Sequence, residues 1–234
     1  MIVRMVGKTL NVTSDPAEPL VDVKTVMLDM DGTLLDLAYD NFMWLTRVPQ
    51  AYAEAQNLSA EVARDRLHGW YRELQGTLSW YCLDQWSDRL QFDVLALHHE
   101  HREQISFLPG AKEFLERLVA YDLRVLLVTN SHRSTLALKS EMTGLTNYVD
   151  ACYSSHDMGH PKEQGGFWRG LRSEESFDPV STLFVDDTMA VLASARRYGI
   201  GQVRQVIRPD SGQPARLAEA FVGVESVLDL LPQD

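Results

Sequence analysis

The chain has 234 residues, 45% hydrophobic and 24% charged, a composition that excludes disordered, collagen-like and disulfide-scaffold classes. Its 22 basic and 33 acidic residues give a net charge of −11, which disfavours nucleic acid and anionic membranes as partners. The two cysteines, Cys82 and Cys152, have no metal-ligand spacing and predict reduced, buried thiols. Because the start is unlike a signal peptide and no apolar run has membrane length, we expect a cytoplasmic protein.

Apolar, β-prone runs recur along the chain and predict the strands of a sheet. The first follows an N-terminal extension or edge strand of about twenty residues, begins at Thr25 and ends in Asp29-Met30-Asp31-Gly32. Similar runs cover 123–130, 182–187 and 202–207, with a shorter one at 149–153. Helical patterns lie between them, at 110–120, 134–143, 163–172 and 188–198. This alternation predicts an α/β fold with a doubly wound, Rossmann-like parallel sheet, whose ligands bind at the carboxyl ends of the strands.

The segment 37–107 interrupts this alternation, because it has amphipathic stretches at 40–56, 59–75 and 83–100 but no strand-like run. We therefore predict a core domain of 1–36 and 108–234 and an inserted, all-helical domain of 37–107. The insertion contains four of the five tryptophans: Trp44, Trp70, Trp80 and Trp86. Aromatic residues at helical spacing favour a packed core over a wall facing a ligand.

Acidic residues follow two of the predicted strands. Asp29 and Asp31 would crowd together on one face unless the chain bends, which Gly32 permits. If Asp186 and Asp187 lie at a neighbouring strand end, three or four carboxylates share one crevice. Each like-charge pair at 4 Å costs about 4 kcal/mol at an effective dielectric of 20, so the cluster needs a cation. Oxygen ligands of this kind predict Mg²⁺.

Four motifs in this order resemble the haloacid dehalogenase superfamily over residues 25 to about 208. They are Asp29-x-Asp31-x-Thr33, Thr129-Asn130, Lys162 in His160-Pro161-Lys162-Glu163, and Asp186-Asp187. The resemblance implies a core of that superfamily's fold, and the insertion at 37–107 matches the position of its helical cap. Such caps close over small soluble substrates and exclude water from the reacting group.

The resemblance also implies a role for each motif residue. Asp29 would attack phosphorus and form an aspartyl-phosphate, and Asp31 would act as general acid and then general base. Thr129 and Asn130 would hold phosphate oxygens, and Lys162 would neutralise the nucleophile and the phosphate. Dehalogenase members lack the second aspartate, so Asp31 favours phosphoryl transfer over carbon–halogen hydrolysis.

The same resemblance assigns the metal ligands. Asp187 would bind Mg²⁺ directly, Asp186 would support it or bind through water, Asp29 would supply a carboxylate oxygen and Asp31 its backbone carbonyl. We interpret Asp36 and Asp40, by contrast, as helix-capping or turn residues just ahead of a helix.

Three stretches within this class are similar to the bacterial GMP/IMP nucleotidase group: 28–41, 80–87 and 161–163. The stretch 80–87 lies in the insertion, where specificity is expected, and its Trp-Tyr-Cys-Leu-Asp pattern has no role in catalysis. The resemblance implies hydrolysis of purine 5′-nucleotides, with Trp80, Tyr81 or Trp86 able to stack a base. The sequence does not select the base or predict an oligomeric state.

The catalytic motifs leave other activities open. A sugar-phosphate phosphatase would use the same residues, and so would a phosphomutase with a second phosphate pocket in the cap. Four arginines of the insertion keep the second option open: Arg47, Arg64, Arg66 and Arg72. A non-catalytic phosphate-binding regulator is a further alternative, which the intact motifs disfavour.

Several histidines lie near these motifs or in the insertion. Adjacent residues on a helix diverge by about 100°, so the run His98–His101 predicts a solvated helix end rather than a metal site. His132 and His160 are next to motif residues, and either could line the pocket.

Overall fold

The fold is built on one sheet of six parallel strands. The computed structural model describes residues 20–218 and 220–232, so the predicted N-terminal extension lies almost wholly outside the described residues. The strands are β1 (Thr25–Leu28), β2 (Arg124–Thr129), β3 (Ala151–Ser154), β4 (Thr182–Asp186), β5 (Gln202–Val206) and β6 (Val222–Val224). Their order is β3-β2-β1-β4-β5-β6, and every neighbouring pair is parallel. The predicted doubly wound α/β sheet is confirmed.

The sheet is buried on both faces, as its apolar strands predict. In β1, Val26 and Leu28 belong to one hydrophobic cluster, whereas Met27 between them belongs to the other. The first cluster continues into the helical insertion. The second includes Trp168 and Leu192, which lie on helices of the core. Successive side chains of a strand point to opposite faces, so helices cover both sides of the sheet.

Five helices connect the strands of the sheet. They are α7 (Ala111–Leu118), α8 (Arg133–Thr143), α9 (Ser155–Met158), α10 (Gly165–Glu174) and α11 (Met189–Tyr198). Short 3₁₀ turns occupy Leu145–Tyr148, Pro179–Ser181 and Val227–Leu230. The strand predictions omitted β6, which has only three half-buried residues and hence no apolar run.

The chain between β1 and α7 is helical, as predicted. It forms α1 (Ala38–Phe42), a π-helical turn (Met43–Arg47), α2 (Val48–Ala55), α3 (Ala60–Leu74), α4 (Leu78–Tyr81), α5 (Leu83–Leu90), α6 (Val94–Glu100) and a 3₁₀ turn (Arg102–Gln104). The amphipathic stretch at 83–100 divides into two helices, α5 and α6. Gln91 adopts a left-handed conformation with φ of 63° and ends α5, and the Asp93 side chain then caps α6.

None of the helices in the described part of the chain has the length and apolar composition needed to cross a bilayer.

Candidate active site

A cavity of about 680 Å³ opens between the carboxyl edge of the sheet and the helical insertion. Asp29 directly follows β1, Thr129 is the last residue of β2, and Asp186 is the last residue of β4. All three line the cavity together with side chains of the insertion. Its volume lies within the range of roughly 300–1,000 Å³ typical of small-molecule sites.

Three carboxylates converge at this edge. Asp29, Asp186 and Asp187 are buried, and each has an oxygen within 4.8 Å of an oxygen of the other two. Burial raises the pKa of Asp29 to about 8 against the opposing effect of Lys162, and it raises those of Asp186 and Asp187 to about 6. A divalent cation would relieve this crowding, and oxygen donors are the ligands that Mg²⁺ prefers.

Lys162 lies beside the carboxylates and is fully buried. Its ammonium donates to Asp29, to Asp186 Oδ2 at 2.7 Å and to the carbonyl of Val128 at 3.0 Å. Burial disfavours the ammonium ion, but the two carboxylates outweigh burial and hold the pKa of Lys162 above its usual range. The charged lysine therefore joins the ends of β1 and β4.

The side chain of Asp31 is separated from the three carboxylates and has its own partners. The chain bends at Gly32, whose φ is 82°. Lys139 Nζ lies 2.6 Å from Asp31 Oδ1 and 2.7 Å from Asp40 Oδ1, and Ser131 Oγ donates to Asp31 Oδ2 at 2.6 Å. Both side-chain oxygens of Asp31 thus accept hydrogen bonds. The sequence interpretation missed Lys139 and Ser131.

Asn130 links the sheet to the insertion. Its Oδ1 accepts from the backbone N–H of Lys162 at 2.9 Å, and its Nδ2 donates to Glu163 Oε2 at 3.1 Å. The other oxygen of Glu163 accepts from the hydroxyl of Tyr81 at 2.6 Å. Burial, reinforced by Glu163, raises the pKa of Tyr81, so this hydroxyl keeps its proton. Tyr81 of the insertion is therefore tied to the loop that carries Lys162.

The far wall of the cavity is aromatic. Trp44, Tyr71, Trp80 and Trp86 line it, with ring centroids 5.2 Å apart for Tyr71–Trp80 and 5.5 Å apart for Trp44–Trp86. Trp86 is only 1% exposed, and its Nε1 donates to the carbonyl of Trp80 at 2.8 Å. These rings are both a packed cluster and a surface of the cavity, so the two interpretations offered from the sequence are not exclusive. Trp70 instead packs against Tyr52.

Other sequence interpretations are corrected by the structure. Asp36 does accept from the backbone N–H of Ala38, as a turn residue should. Asp40 is not a cap, because it lies inside α1 and binds Lys139. The two interpretations rest on the same pattern, an acidic residue near a helix start, which does not distinguish a cap from a buried ion pair.

The histidines differ from each other. His98 is fully buried, and its Nδ1 forms a hydrogen bond of 2.8 Å with the Tyr39 hydroxyl. The predicted solvated helix end is therefore wrong for this residue. His132 lines the cavity. His160 is exposed and lies 3.3 Å from Gln164.

Arg216, from the segment after β5, also escaped the sequence interpretation. Its guanidinium donates to Asp187 Oδ2 at 3.1 Å, and about half of its side chain is exposed. No motif marks this residue, because it approaches Asp187 only through the fold.

Comparisons with known proteins agree with this geometry. A profile of the haloacid dehalogenase-like hydrolases matches residues 23–199. The chain is 39% identical over 211 residues to the GMP/IMP nucleotidase YrfG of Escherichia coli (strain K12), covering 90% of this chain and 95% of the relative. It is also 31% identical over 102 residues, 43% of each chain, to a ribulose-1,5-bisphosphate 5-phosphatase of Halopiger xanaduensis.

Solved structures support the fold. A HAD phosphatase from Thermococcus onnurineus superposes with a TM-score of 0.73 at 19% identity, covering 89% of this chain and 96% of the other. The L-2-haloacid dehalogenase from Xanthobacter autotrophicus superposes with a TM-score of 0.60, also at 19% identity and with the same coverage. The profile and the full-length relative show that this chain belongs to the haloacid dehalogenase-like hydrolases.

Proposed function

We propose that this hydrolase cleaves phosphate monoesters of small molecules, purine 5′-nucleotides above all, through an aspartyl-phosphate on Asp29. The observation that carries the proposal is the pair Asp29 and Asp31, one beside Lys162 and the other beside Lys139 and Ser131, at the same cavity. Such a pair supplies a nucleophile and a separate proton carrier.

Asp29 would act as the nucleophile. A carboxylate oxygen of Asp29 bonds to phosphorus as the bond between phosphorus and the ester oxygen breaks, which leaves the phosphoryl group on Asp29. The ammonium of Lys162 already contacts Asp29. Its positive charge would stabilise the negative charge on the phosphoryl oxygens during the transfer. Thr129 and Asn130 line the cavity beside it, and the Thr129 hydroxyl and the Asn130 backbone amide would donate to the remaining oxygens.

Asp31 would transfer the protons. In the first step its carboxylic acid protonates the leaving alcohol, and in the second its carboxylate takes a proton from the water that attacks phosphorus. The second step restores free Asp29 and releases inorganic phosphate. Hydrogen bonds from Lys139 and Ser131 fix the orientation of the side chain for both steps.

Mg²⁺ is the cofactor that fits these residues. The three carboxylates within 4.8 Å of one another offer only oxygen donors, as a hard cation requires. We propose that Asp29 and Asp187 bind it directly, that Asp186 supports it, and that Asp31 contributes its backbone carbonyl. Bound there, Mg²⁺ would balance the carboxylate charge and the charge of the substrate phosphate.

We propose that residues 37–107 act as the cap over this site, with 1–36 and 108–234 forming the core domain. The chain leaves and re-enters the core at adjacent points, because Leu35 and Phe107 form a β-bridge and the Leu108 N–H donates to Leu34 at 2.9 Å. This short double connection supports a boundary at that position, and the cavity lies between the two parts.

The aromatic wall supports a nucleotide substrate. Purine bases stack on aromatic side chains, and Trp80 and Tyr81 line the cavity that also contains Asp29. Trp86 lines it too, although its position in the packed cluster leaves little of the ring accessible. The relative named a GMP/IMP nucleotidase spans nearly the whole chain, which favours the same substrate class here.

The cap offers little for a second phosphate group. Four arginines of the insertion kept a phosphomutase activity possible. Of these, Arg72 lines this cavity. Arg47 donates to His101 and Gln50. A bisphosphorylated intermediate needs a cluster of basic groups, so the structure favours the monophosphate substrate.

The proposal is tested by phosphate release from a panel of nucleoside monophosphates and sugar phosphates, with and without Mg²⁺. We expect turnover that requires Mg²⁺ and the highest kcat/KM for GMP and IMP. Higher kcat/KM for sugar phosphates would overturn the nucleotidase assignment while leaving the phosphatase intact. Absence of turnover on every ester would instead support a phosphate-binding regulator.

Two tryptophan variants test the role of the aromatic wall. Trp80→Ala should raise KM for GMP by roughly tenfold, since loss of a base-stacking ring costs about 1–3 kcal/mol. It should leave KM for a small chromogenic phosphate ester almost unchanged. Trp86→Ala should lower the free energy of unfolding by about 3–5 kcal/mol, because this ring is buried. Equal losses by Trp80→Ala on both substrates would make Trp80 a packing residue only.

A further inference from the structure

A second group of metal-binding side chains lies at the junction between the insertion and the sheet. Cys82 comes from the short link between α4 and α5, His132 caps α8 after β2, and His156 lies in α9 after β3. One ligand atom of each lies within 4.8 Å of those of the other two, and all three residues are half-buried. This group shares no residue with the three carboxylates.

The ring of His156 is oriented with one nitrogen free. Ser154 Oγ donates its single proton to the carbonyl of Ser131 at 2.7 Å, so towards His156 it is an acceptor. His156 Nδ1 lies 3.4 Å from this oxygen, which favours the proton on Nδ1 and leaves the lone pair on Nε2. His156 Nε2 is buried and has no hydrogen-bond partner in the described part of the chain. This nitrogen is therefore available to bind a metal ion.

His132 makes only long contacts with its present partners. Its Nδ1 accepts from the backbone N–H of Ser134 at 3.4 Å, a long contact, and its Nε2 lies 3.7 Å from Asp84 Oδ2. Binding of a metal through Nε2 would move the ring proton to Nδ1 and give up the contact with Ser134. Asp84 is exposed and next to the group, so it is available as a fourth ligand in place of water.

A thiolate and two imidazoles select a different class of metal from the carboxylates. Sulfur and nitrogen ligands suit borderline divalent ions such as Zn²⁺ in tetrahedral geometry, whereas Mg²⁺ prefers oxygen. The two sites can therefore be occupied by different ions in the same molecule.

We propose that Cys82, His132 and His156 form a Zn²⁺ site that cross-links the helical insertion to the sheet and holds the cavity closed. Cys82 belongs to the insertion and directly follows Tyr81, whose hydroxyl binds Glu163. His132 and His156 lie just after the ends of β2 and β3, and His132 also lines the cavity. An ion bound to all three joins the insertion to two strand ends and would slow substrate entry and product release. Metal binding is independent of the proposed function, but its effect on turnover rests on it.

Cobalt binding tests the site directly, because Co²⁺ replaces Zn²⁺ and reports on its ligands by absorption. The full chain, saturated with Mg²⁺, is titrated with Co²⁺. We expect a thiolate-to-cobalt charge-transfer band and the visible bands of tetrahedral Co²⁺ at one equivalent. Cys82→Ser should abolish the charge-transfer band, and Cys152→Ser, the matched control at the other cysteine, should retain it. Absence of the band in the wild type, or its loss in Cys152→Ser alone, would overturn the proposal.

Zinc inhibition tests the effect on turnover. At saturating Mg²⁺, Zn²⁺ should inhibit phosphate release by the wild type and by Cys152→Ser. Cys82→Ser and His156→Gln should require at least about tenfold more Zn²⁺ for the same inhibition, as expected when metal ligation is weakened. Equal inhibition of Cys82→Ser and wild type would place the inhibitory ion elsewhere and overturn the cross-link. A cobalt band in a protein that hydrolyses no ester would refute the proposed function but not the site.

Discussion

Two buried lysines divide the candidate active site, and their surroundings differ in kind. Lys162 joins Asp29 to Asp186, and Lys139 joins Asp31 to Asp40. Each lysine is only 1% exposed. Both ion pairs are buried, so removing either lysine would leave two carboxylates without their partner.

The difference lies in the third group of each cluster. A third carboxylate, Asp187, approaches Asp29 and Asp186, and one oxygen of each lies within 4.8 Å of an oxygen of the other two. At the other lysine the third group is a donor, the hydroxyl of Ser131, which binds the remaining oxygen of Asp31. In the proposed mechanism the first cluster binds the cation, whereas the second holds Asp31 in place for proton transfer. The comparison shows that two similar ion pairs lie in different surroundings at one cavity.

The largest effect should come from the nucleophile. Asp29→Asn is expected to lower kcat/KM by about 10⁴-fold or more, because the amide cannot form the aspartyl-phosphate. Phosphate release with and without Mg²⁺ measures the loss, and the melting temperature serves as the folding control. Activity within tenfold of the wild type in pure, folded Asp29→Asn would refute the assignment.

Substitution of the two lysines should have different effects on kcat and on Mg²⁺ affinity. Lys162→Met should lower kcat by about 10³-fold and also change Mg²⁺ affinity, since its ammonium contacts two of the carboxylates. Lys139→Met should lower kcat by about 10²-fold and leave Mg²⁺ affinity within about twofold, because its effect passes through Asp31. The comparison is measured by Mg²⁺ titrations of phosphate release.

Loss of a buried ion-pair partner can lower the free energy of unfolding by about 3–5 kcal/mol, so the lysine variants could misfold. A milder variant serves as the control for that comparison. Asp40→Asn keeps Lys139 paired with Asp31 and removes only the outer carboxylate. It should reproduce a fraction of the Lys139→Met loss in kcat, again without a change in Mg²⁺ affinity. Equal shifts in Mg²⁺ affinity for both lysine variants would contradict the division into two clusters.

A smaller effect is expected where the insertion contacts the Lys162 loop. Tyr81→Phe removes the hydrogen bond to Glu163 and should lower kcat/KM about tenfold, because a hydrogen bond to a charged group contributes about 1.5 kcal/mol at the low end of its range. Tyr198→Phe, on α11, is the matched control and should behave as the wild type. Identical kinetics of the two variants would show that the contact does not assist turnover.

A different kind of effect concerns stability rather than turnover, behind Lys139, where Tyr39 and His98 pack. Burial, with Lys139 nearby, lowers the pKa of His98 from 6.5 to about 3. Below pH 6.5 the unfolded chain binds a proton that the folded ring does not, so stability falls as the pH drops towards 3. The loss is about 1.4 kcal/mol per pH unit.

The comparison of wild type with His98→Gln isolates this contribution, because the raised pKa of Asp29 and Asp40 acts in the opposite direction in both proteins. Urea unfolding at several pH values between about 7 and 5 should show the steeper loss in the wild type. Parallel curves for the two proteins would mean that His98 takes up its proton in the folded state.

The fold was predictable because its signals are local. Each long strand is a continuous apolar run that ends in polar residues, and the motif residues stand directly at those ends, as Asp29 and Asp186 do. The short β6 and the break at Gln91 were missed because neither changes the apolar pattern.

The rest of the site depends on tertiary structure. A lysine on a helix, such as Lys139, is normally solvated, and only the tertiary structure brings it to its buried partners Asp31 and Asp40. Cys82, His132 and His156 are separated by many residues and come from three elements, so no sequence spacing indicates their proximity. The sequence thus predicts the motif residues at strand ends and misses partners that only the tertiary fold brings to them, such as Lys139 and Arg216.

The most direct test of the central claim is acid-quenched turnover of GMP with Mg²⁺, followed by peptide mapping of the phosphorylated enzyme. The account predicts a transient phosphoryl group on the peptide containing Asp29, formed and lost at rates compatible with kcat. Phosphate release without any phosphorylated peptide, or with the phosphoryl group on a different residue, would contradict it.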